Sequence, residues 1–254
     1  MSQPTAVLIV TGAWHVPAHY QKLRDALESR GVRTICETLP TNNNAVPPTA
    51  TLHDDITFLR TLVAKEAAAG TRLTVLAHSW GGVVSSGALA DLAVSSPGGG
   101  GGGGVADLVF MCAFVPREGE SLTGMLGGTN PPYLVDDAGV LRWRNPIEHL
   151  YNDLEPAEAA RAESLRVAAH GTAAQATPID AGRKAAWRAI PTTYIFCEED
   201  QALPLAVQEV MVRRVERDGV AVRRFSLKAS HSPFLSMPDK VADIVLEVKG
   251  KGPE

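Results

Sequence analysis

The chain has 254 residues, a formal net charge of −4 at pH 7, 45% hydrophobic and 20% charged residues. Those proportions belong to a globular protein long enough to bury a sizeable core without disulfides. They exclude two classes: no dense cationic stripe is present to hold nucleic acid, and no apolar run approaches the ~20 residues that cross a bilayer.

Arg213–Arg214 and Arg223–Arg224 read as solvated faces. Met1-Ser2-Gln3-Pro4 leads straight into an apolar strand without the pattern of a cleavable leader, so a cytoplasmic location is expected. Cys36, Cys112 and Cys197 sit in or at the end of apolar runs, and no CxxC occurs. They read as small buried hydrophobes, with no disulfide framework or zinc site.

Taken in chain order, Ala6–Val10 is a short, continuous apolar run, as in a strand covered on both faces. Pro17 opens a helix with Tyr20, Leu23 and Leu27 on one face, and Gly31 stops it. Val32–Leu39 reads as a second strand and Thr41–Pro48 as a loop. The next helix carries Leu52, Ile56, Leu59 and Val63 on one stripe and ends near Gly70. Leu73–Ala77 is a third strand, followed by a small-residue helix over Gly82–Val94 that belongs against the sheet. The glycine-rich stretch 98–104 reads as a surface loop. Leu108–Val115 is a fourth strand, closed by Pro116.

Residues 116–188 break this rhythm with Gly- and Pro-rich turns, four large aromatics and one helical stretch at Pro156–Ala169. They read as a small, largely helical cap inserted into a core made of 1–115 and 189–254. Then come a strand at Thr192–Cys197 and a helix at Pro204–Arg217 with Val207, Val210, Met211 and Val215 on one face. A strand at Val220–Leu227 follows. Ser236-Met237-Pro238-Asp239, spaced as a capping box, opens the last helix, whose stripe is Val241, Ile244, Val245 and Val248. The alternation predicts an α/β fold: a mostly parallel sheet of about six strands with helices on both faces. In such a sheet the crevice lies at the carboxyl ends of the strands, so the residues just after each strand matter most.

Ala77-His78-Ser79-Trp80-Gly81-Gly82 stands between a strand and a helix. Small residues two before and two after the serine allow a sharp turn that lifts its hydroxyl out of the sheet, as in the small-x-Ser-x-Gly nucleophile elbow. A hydroxyl is a poor nucleophile at neutral pH and needs a base, which in turn needs a carboxylate to orient it. Both follow downstream in the required order. Asp200 comes after the fifth strand, with Glu198 and Glu199 as possible substitutes, and His231 comes after the sixth. The backbone N–H of Trp80 and one from Thr11-Gly12-Ala13, assigned to Ala13, would form the oxyanion hole.

These strings resemble the α/β-hydrolase superfamily, and within it the plant methylesterases and hydroxynitrile lyases with their fungal and bacterial relatives. The markers are Val10-Thr11-Gly12-Ala13-Trp14-His15, His78-Ser79-Trp80-Gly81-Gly82, Tyr151-Asn152-Asp153-Leu154, Cys197-Glu198-Glu199-Asp200 and His231-Ser232-Pro233-Phe234. The resemblance implies an α/β-hydrolase fold, a triad of Ser79, Asp200 and His231, and a helical cap after the fourth strand. Thr11 stands where the family usually has histidine. The lyases carry threonine at the position of Gly12 and lysine at that of Ser232; both positions here match the esterases.

The expected activity is hydrolysis of a small hydrophobic carboxylic ester or lactone through an acyl-enzyme. Three alternatives stay open: cleavage of a C–C bond or a thioester, a non-hydrolytic lyase or cyclase, and a ligand-binding protein on this scaffold. Gly12, Trp14 and His15 are candidate substrate contacts. Tyr133, Trp143, Tyr151 and Trp187 either join them or form the cap's own core. His15 and His19 have a metal-like spacing, but Pro17 intervenes and no third ligand is evident, so no metal or other cofactor is expected. His78 reads as a packed residue; His53, His149 and His170 carry no motif. Asp54 and Asp55 suit the start of a helix. The expected partner is a small-molecule substrate, with the oligomeric state open and a homodimer among the options.

Overall fold

The computed structural model describes residues 3–94 and 102–249. The chain first forms β1 (Thr5–Val10), α1 (Gln21–Glu28), β2 (Arg33–Cys36), α2 (Leu52–Ala68), β3 (Arg72–His78), α3 (Trp80–Ala88) and β4 (Gly104–Met111). Next come α4 (Leu122–Met125), β5 (Leu134–Asp137), β6 (Val140–Trp143), α5 (Pro146–Leu150), α6 (Pro156–Leu165), β7 (His170–Gly171) and α7 (Thr172–Ala176). The last elements are β8 (Thr192–Cys197), α8 (Leu205–Arg217), β9 (Val222–Leu227), α9 (Pro233–Ser236) and α10 (Pro238–Val248).

Six strands make one parallel sheet in the order β2-β1-β3-β4-β8-β9. Every residue of β4 and β8 is buried, as continuous apolar runs between two helical layers should be. Alternate residues along a strand serve opposite layers. Ala6, Leu8 and Val10 join Leu59 and Val63 of α2, Val83 and Val84 of α3, and Met211 of α8. Val7 and Ile9 join Leu23 and Leu27 of α1 and Val241 and Val245 of α10. The strand order reverses between β1 and β3, so the crevice opens beyond their carboxyl ends, where Gly12–Ala13 and Ser79 lie.

Several boundaries differ from the sequence reading for local reasons. β2 is shorter than Val32–Leu39, since Pro40 begins a tight turn after it. β4 starts at Gly104 and ends at Met111, because Cys112 takes a positive φ of 37° and turns the chain away. The expected glycine loop therefore ends in a strand, and its residues 98–101 lie outside the described ones. The expected Gly82–Val94 helix begins at Trp80 and stops at Ala88. On α8 the inward face carries Gln208, Met211, Val212 and Val215, whereas Val210 points to solvent. The expected capping box at Ser236 does not form: Ser236 ends α9, and Met237 is the residue before α10. Within 116–188 the helices are accompanied by a three-stranded antiparallel sheet, β5-β6-β7, that the turn-rich sequence concealed.

Glycine is required where α3 crosses the sheet. A Cβ on Gly82 would stand 2.2 Å from the carbonyl oxygen of Phe114, and one on Gly81 would stand 2.4 Å from that of Val10. Both obstacles are backbone and cannot swing aside. Gly82→Ala should therefore destabilise the fold by about 1–3 kcal/mol in urea denaturation, the usual range for overpacking; unchanged stability would refute the close approach.

Candidate active site

Ser79 occupies a sharp turn between β3 and α3, with φ 50° and ψ −116°. A non-glycine residue adopts that conformation only when its surroundings enforce it. Its carbonyl accepts from Gly82 N–H at 3.0 Å and Phe114 N–H at 3.2 Å, which pins the turn from both sides. The side chain lines a cavity of roughly 40 Å³ together with His231, Ala13 and Trp80. Among the described residues no hydrogen bond joins the Ser79 hydroxyl to His231; such contacts often close only around a substrate.

His231 is buried and donates from Nδ1 to Asp200 Oδ2 at 2.6 Å. That contact leaves Nε2 as the free imidazole nitrogen. The other oxygen of Asp200 accepts from Ala202 N–H at 2.8 Å and Leu203 N–H at 2.7 Å. Gln208, wholly buried on α8, donates to Leu203 O at 2.7 Å and accepts from Cys197 N–H at 3.1 Å. It ties the acid's loop to the end of β8. A glutamine on the buried stripe of a helix is the signal that marks it. Glu198 and Glu199, the substitutes considered for the acid, point elsewhere, to Ser226 Oγ and the Lys228 ammonium.

Around the Gly12 turn the backbone donors are mostly taken. Gly12 N–H donates to the Tyr20 hydroxyl at 2.9 Å, Trp14 N–H to Asn42 Oδ1 at 2.9 Å, and His15 N–H to Gly12 O at 3.2 Å. Among the described residues the Ala13 N–H has no partner, and Ala13 borders the cavity with Ser79. The Tyr20 hydroxyl in turn donates a hydrogen bond to His78 Nδ1 at 2.7 Å, and His78 Nε2–H donates to the carbonyl of His231 at 2.9 Å. One buried chain thus links the Gly12 turn, the strand end before Ser79 and the His231 loop. Burial, then the neighbouring His231, holds His78 well below the usual histidine range, so it is a neutral strut. A side chain on Gly12 would strike it, the nearest approach being 2.7 Å to Nδ1.

The aromatic candidates divide. Trp14, Tyr133 and Trp143 line the cavity, and Tyr133 stacks on Trp143 with centroids 4.9 Å apart. Gly12, His15, Tyr151 and Trp187 do not line it. Gly12 lies behind the wall against His78. His15 is buried between Ala13 O and the Tyr151 hydroxyl, at 2.9 and 3.0 Å, so those two side chains satisfy each other. Trp187 is buried with its indole N–H on Pro116 O at 2.8 Å. The sequence reading missed Phe114, Leu122, Leu134, Gln175 and Leu203, which complete the wall from distant segments. A larger groove of about 550 Å³, between α1 and α6, is crossed by the Lys22–Glu158 ion pair and holds none of Ser79, Asp200 or His231.

Asp55 does more than begin a helix. Thr51 and Asp54 form the capping box of α2, while Asp55 is buried and accepts from Thr41 N–H, Thr41 Oγ1 and Trp80 Nε1 at 2.9, 2.6 and 2.8 Å. It fixes the indole that forms part of the cavity wall.

The sequence matches the model of the Alpha/beta hydrolase family over residues 7–244. It is 30% identical to the "Alpha/beta hydrolase nvfD" of Aspergillus novofumigatus, over 98% of each chain. In fold it is similar to a pyrethroid hydrolase from Sphingobium faniae, with TM-score 0.73, 22% identity and 97% of each chain covered. It is similar also to a methylesterase from Arabidopsis, with TM-score 0.70, 19% identity, and 97% of this chain and 98% of that one covered.

Burial pushes the Asp55 carboxyl up to about 6, against the donors that pull it down. The unfolded value is about 3.9. A folded pKa raised above the unfolded one gives stability that is complete below about pH 4 and is lost as pH rises through about 6. The stability of wild type minus that of Asp55→Asn should therefore fall across that window in denaturation experiments and then level off. A difference independent of pH would contradict the burial of this carboxyl.

Proposed function

The chain belongs to the Alpha/beta hydrolase family, and from that premise we propose that it is a serine esterase acting on small hydrophobic carboxylic esters or lactones. The observation that supports this most is the 2.6 Å contact from His231 Nδ1–H to Asp200, in a histidine that shares a cavity with Ser79. With Nδ1 committed to the acid, Nε2 is the nitrogen available to take a proton.

In the proposed cycle the Ser79 oxygen attacks the ester carbonyl carbon as its proton passes to His231 Nε2. The carbonyl oxygen gains the negative charge, toward which the N–H groups of Ala13 and Trp80 donate; Trp80 opens α3, so its N–H is one that no helical turn can satisfy. Collapse breaks the bond to the alcohol oxygen, which leaves with the proton from His231. A water then gives its proton to Nε2, attacks the acyl carbon, and releases the acid and the serine hydroxyl. Asp200 holds the imidazole tautomer and stabilises its charged form without accepting the proton.

Hydrolysis is preferred over lyase chemistry because Gly12 and Ser232 place no hydroxyl and no cation where cyanide-releasing relatives carry them. Ser232 is buried, and its hydroxyl finds no partner among the described residues. No helix of the described residues is long and apolar enough to cross a membrane.

The reading is tested by turnover of p-nitrophenyl and methyl esters and of simple lactones. Asp200→Asn should lower kcat/KM by about 10⁴, as loss of the acid does in other triads, whereas Glu198→Gln and Glu199→Gln should leave it essentially unchanged. Equal activity of Asp200→Asn and wild type would contradict the assignment.

A further inference from the structure

Three residues of the cavity wall carry buried polar atoms with no hydrogen-bond partner among the described residues. Gln175, on α7, lines the cavity with Ser79 and His231 and is buried. Among the described residues its Oε1 has no hydrogen-bond partner, and its Nε2 reaches only His170 Nδ1 at 3.4 Å, which is long for such a bond. Trp14 and Trp143, in the same wall, bury indole N–H groups that find no acceptor among the described residues. Leu122, Leu126 and Leu134 make much of the remaining surface apolar. A cavity meant only for hydrocarbon gains nothing from an amide here, because an unpaired buried polar group disfavours the site.

We propose that Gln175 is a specificity-determining residue, and that it binds a hydroxyl group carried by the hydrophobic part of the substrate. A hydroxyl donates to the amide oxygen while its own lone pairs remain available to a donor such as an indole N–H. A hydrogen atom in its place leaves the amide unpaired. Sites built to bond a substrate hydroxyl discriminate strongly against the analogue that lacks it. The ester in this description rests on the esterase reading; the hydroxyl subsite rests on the wall alone.

Four esters test it: methyl 3-phenylpropanoate and its 2-hydroxy, 3-hydroxy and ring 4-hydroxy derivatives. Binding is read from tryptophan fluorescence in Ser79→Ala, which cannot turn them over, and turnover is read in the enzyme with Ser79 intact. At least one hydroxylated ester should bind about tenfold more tightly than the parent. Adding Gln175→Met, a side chain of similar length, should abolish that gain and leave binding of the parent undiminished. Equal or undetectable binding of all four by Ser79→Ala overturns the inference without reference to any Gln175 variant, and means that water serves the amide. A preference that survives Gln175→Met overturns it as well. A preference that Gln175→Met removes, with no ester turned over, supports the subsite and overturns the esterase reading.

Discussion

The site depends on one contact, the hydrogen bond from His231 Nδ1 to Asp200 at 2.6 Å. The two residues come from loops after adjacent parallel strands, β8 and β9, so sheet register brings them together. A loop carboxylate would otherwise sample many positions. Here two backbone donors hold one of its oxygens, and Gln208 anchors the surrounding loop to the strand end. The segment after α5 braces the same region: Asn152 donates to Glu199 O at 3.0 Å, and Asp153 accepts from Ser230 N–H at 2.9 Å. The orientation of His231 is therefore spread over four segments of chain.

The histidines around the site act mainly as buried struts. His15 and His78 are both held well below the usual histidine range, with burial the largest cause. Each has both ring nitrogens engaged, His15 with Ala13 O and Tyr151, His78 with Tyr20 and His231 O. His78, Cys112 and His231 do bring potential metal-ligand atoms within 4.8 Å of one another. The partners of His78 and the 2.6 Å bond of His231 already account for most of that set. The cluster is best understood as the internal scaffold that joins the Gly12 turn to the His231 loop.

Much of this was legible in the sequence, and the misses have a common physical origin. Short apolar runs alternating with helical periods pointed to all six strands of the main sheet, most clearly β1, β3, β4 and β8, which are buried almost end to end, whereas the edge strands β2 and β9 are partly exposed. Ser79, Asp200 and His231 were singled out through strings at strand ends, and the structure sets His231 against Asp200 and on the same cavity as Ser79. What stayed hidden depends on contacts between distant segments. Asp55 looked like a helix-start acid because its bond to Trp80 spans 25 positions. Tyr20 looked like a stripe residue, although its hydroxyl reaches a histidine 58 positions away. Composition named the aromatics but not their directions, so Tyr151 and Trp187 were grouped with Tyr133 and Trp143. Val210 was placed inward by a period that Gln208 overrode, since a buried amide with three partners outweighs one more valine.

The cavity beside Ser79 is only roughly 40 Å³ and is walled in part by Leu122, Tyr133 and Trp143. On the proposed reading, the Asp200–His231 pair activates Ser79 toward any reagent small enough to enter. Reaction with a small alkyl fluorophosphonate, followed by intact-mass and peptide mapping, tests this most directly. The account predicts one adduct, on Ser79, forming far more slowly in His231→Ala and in Asp200→Asn. Folded wild-type protein that takes no label, or labels at a rate unchanged by His231→Ala, would contradict it.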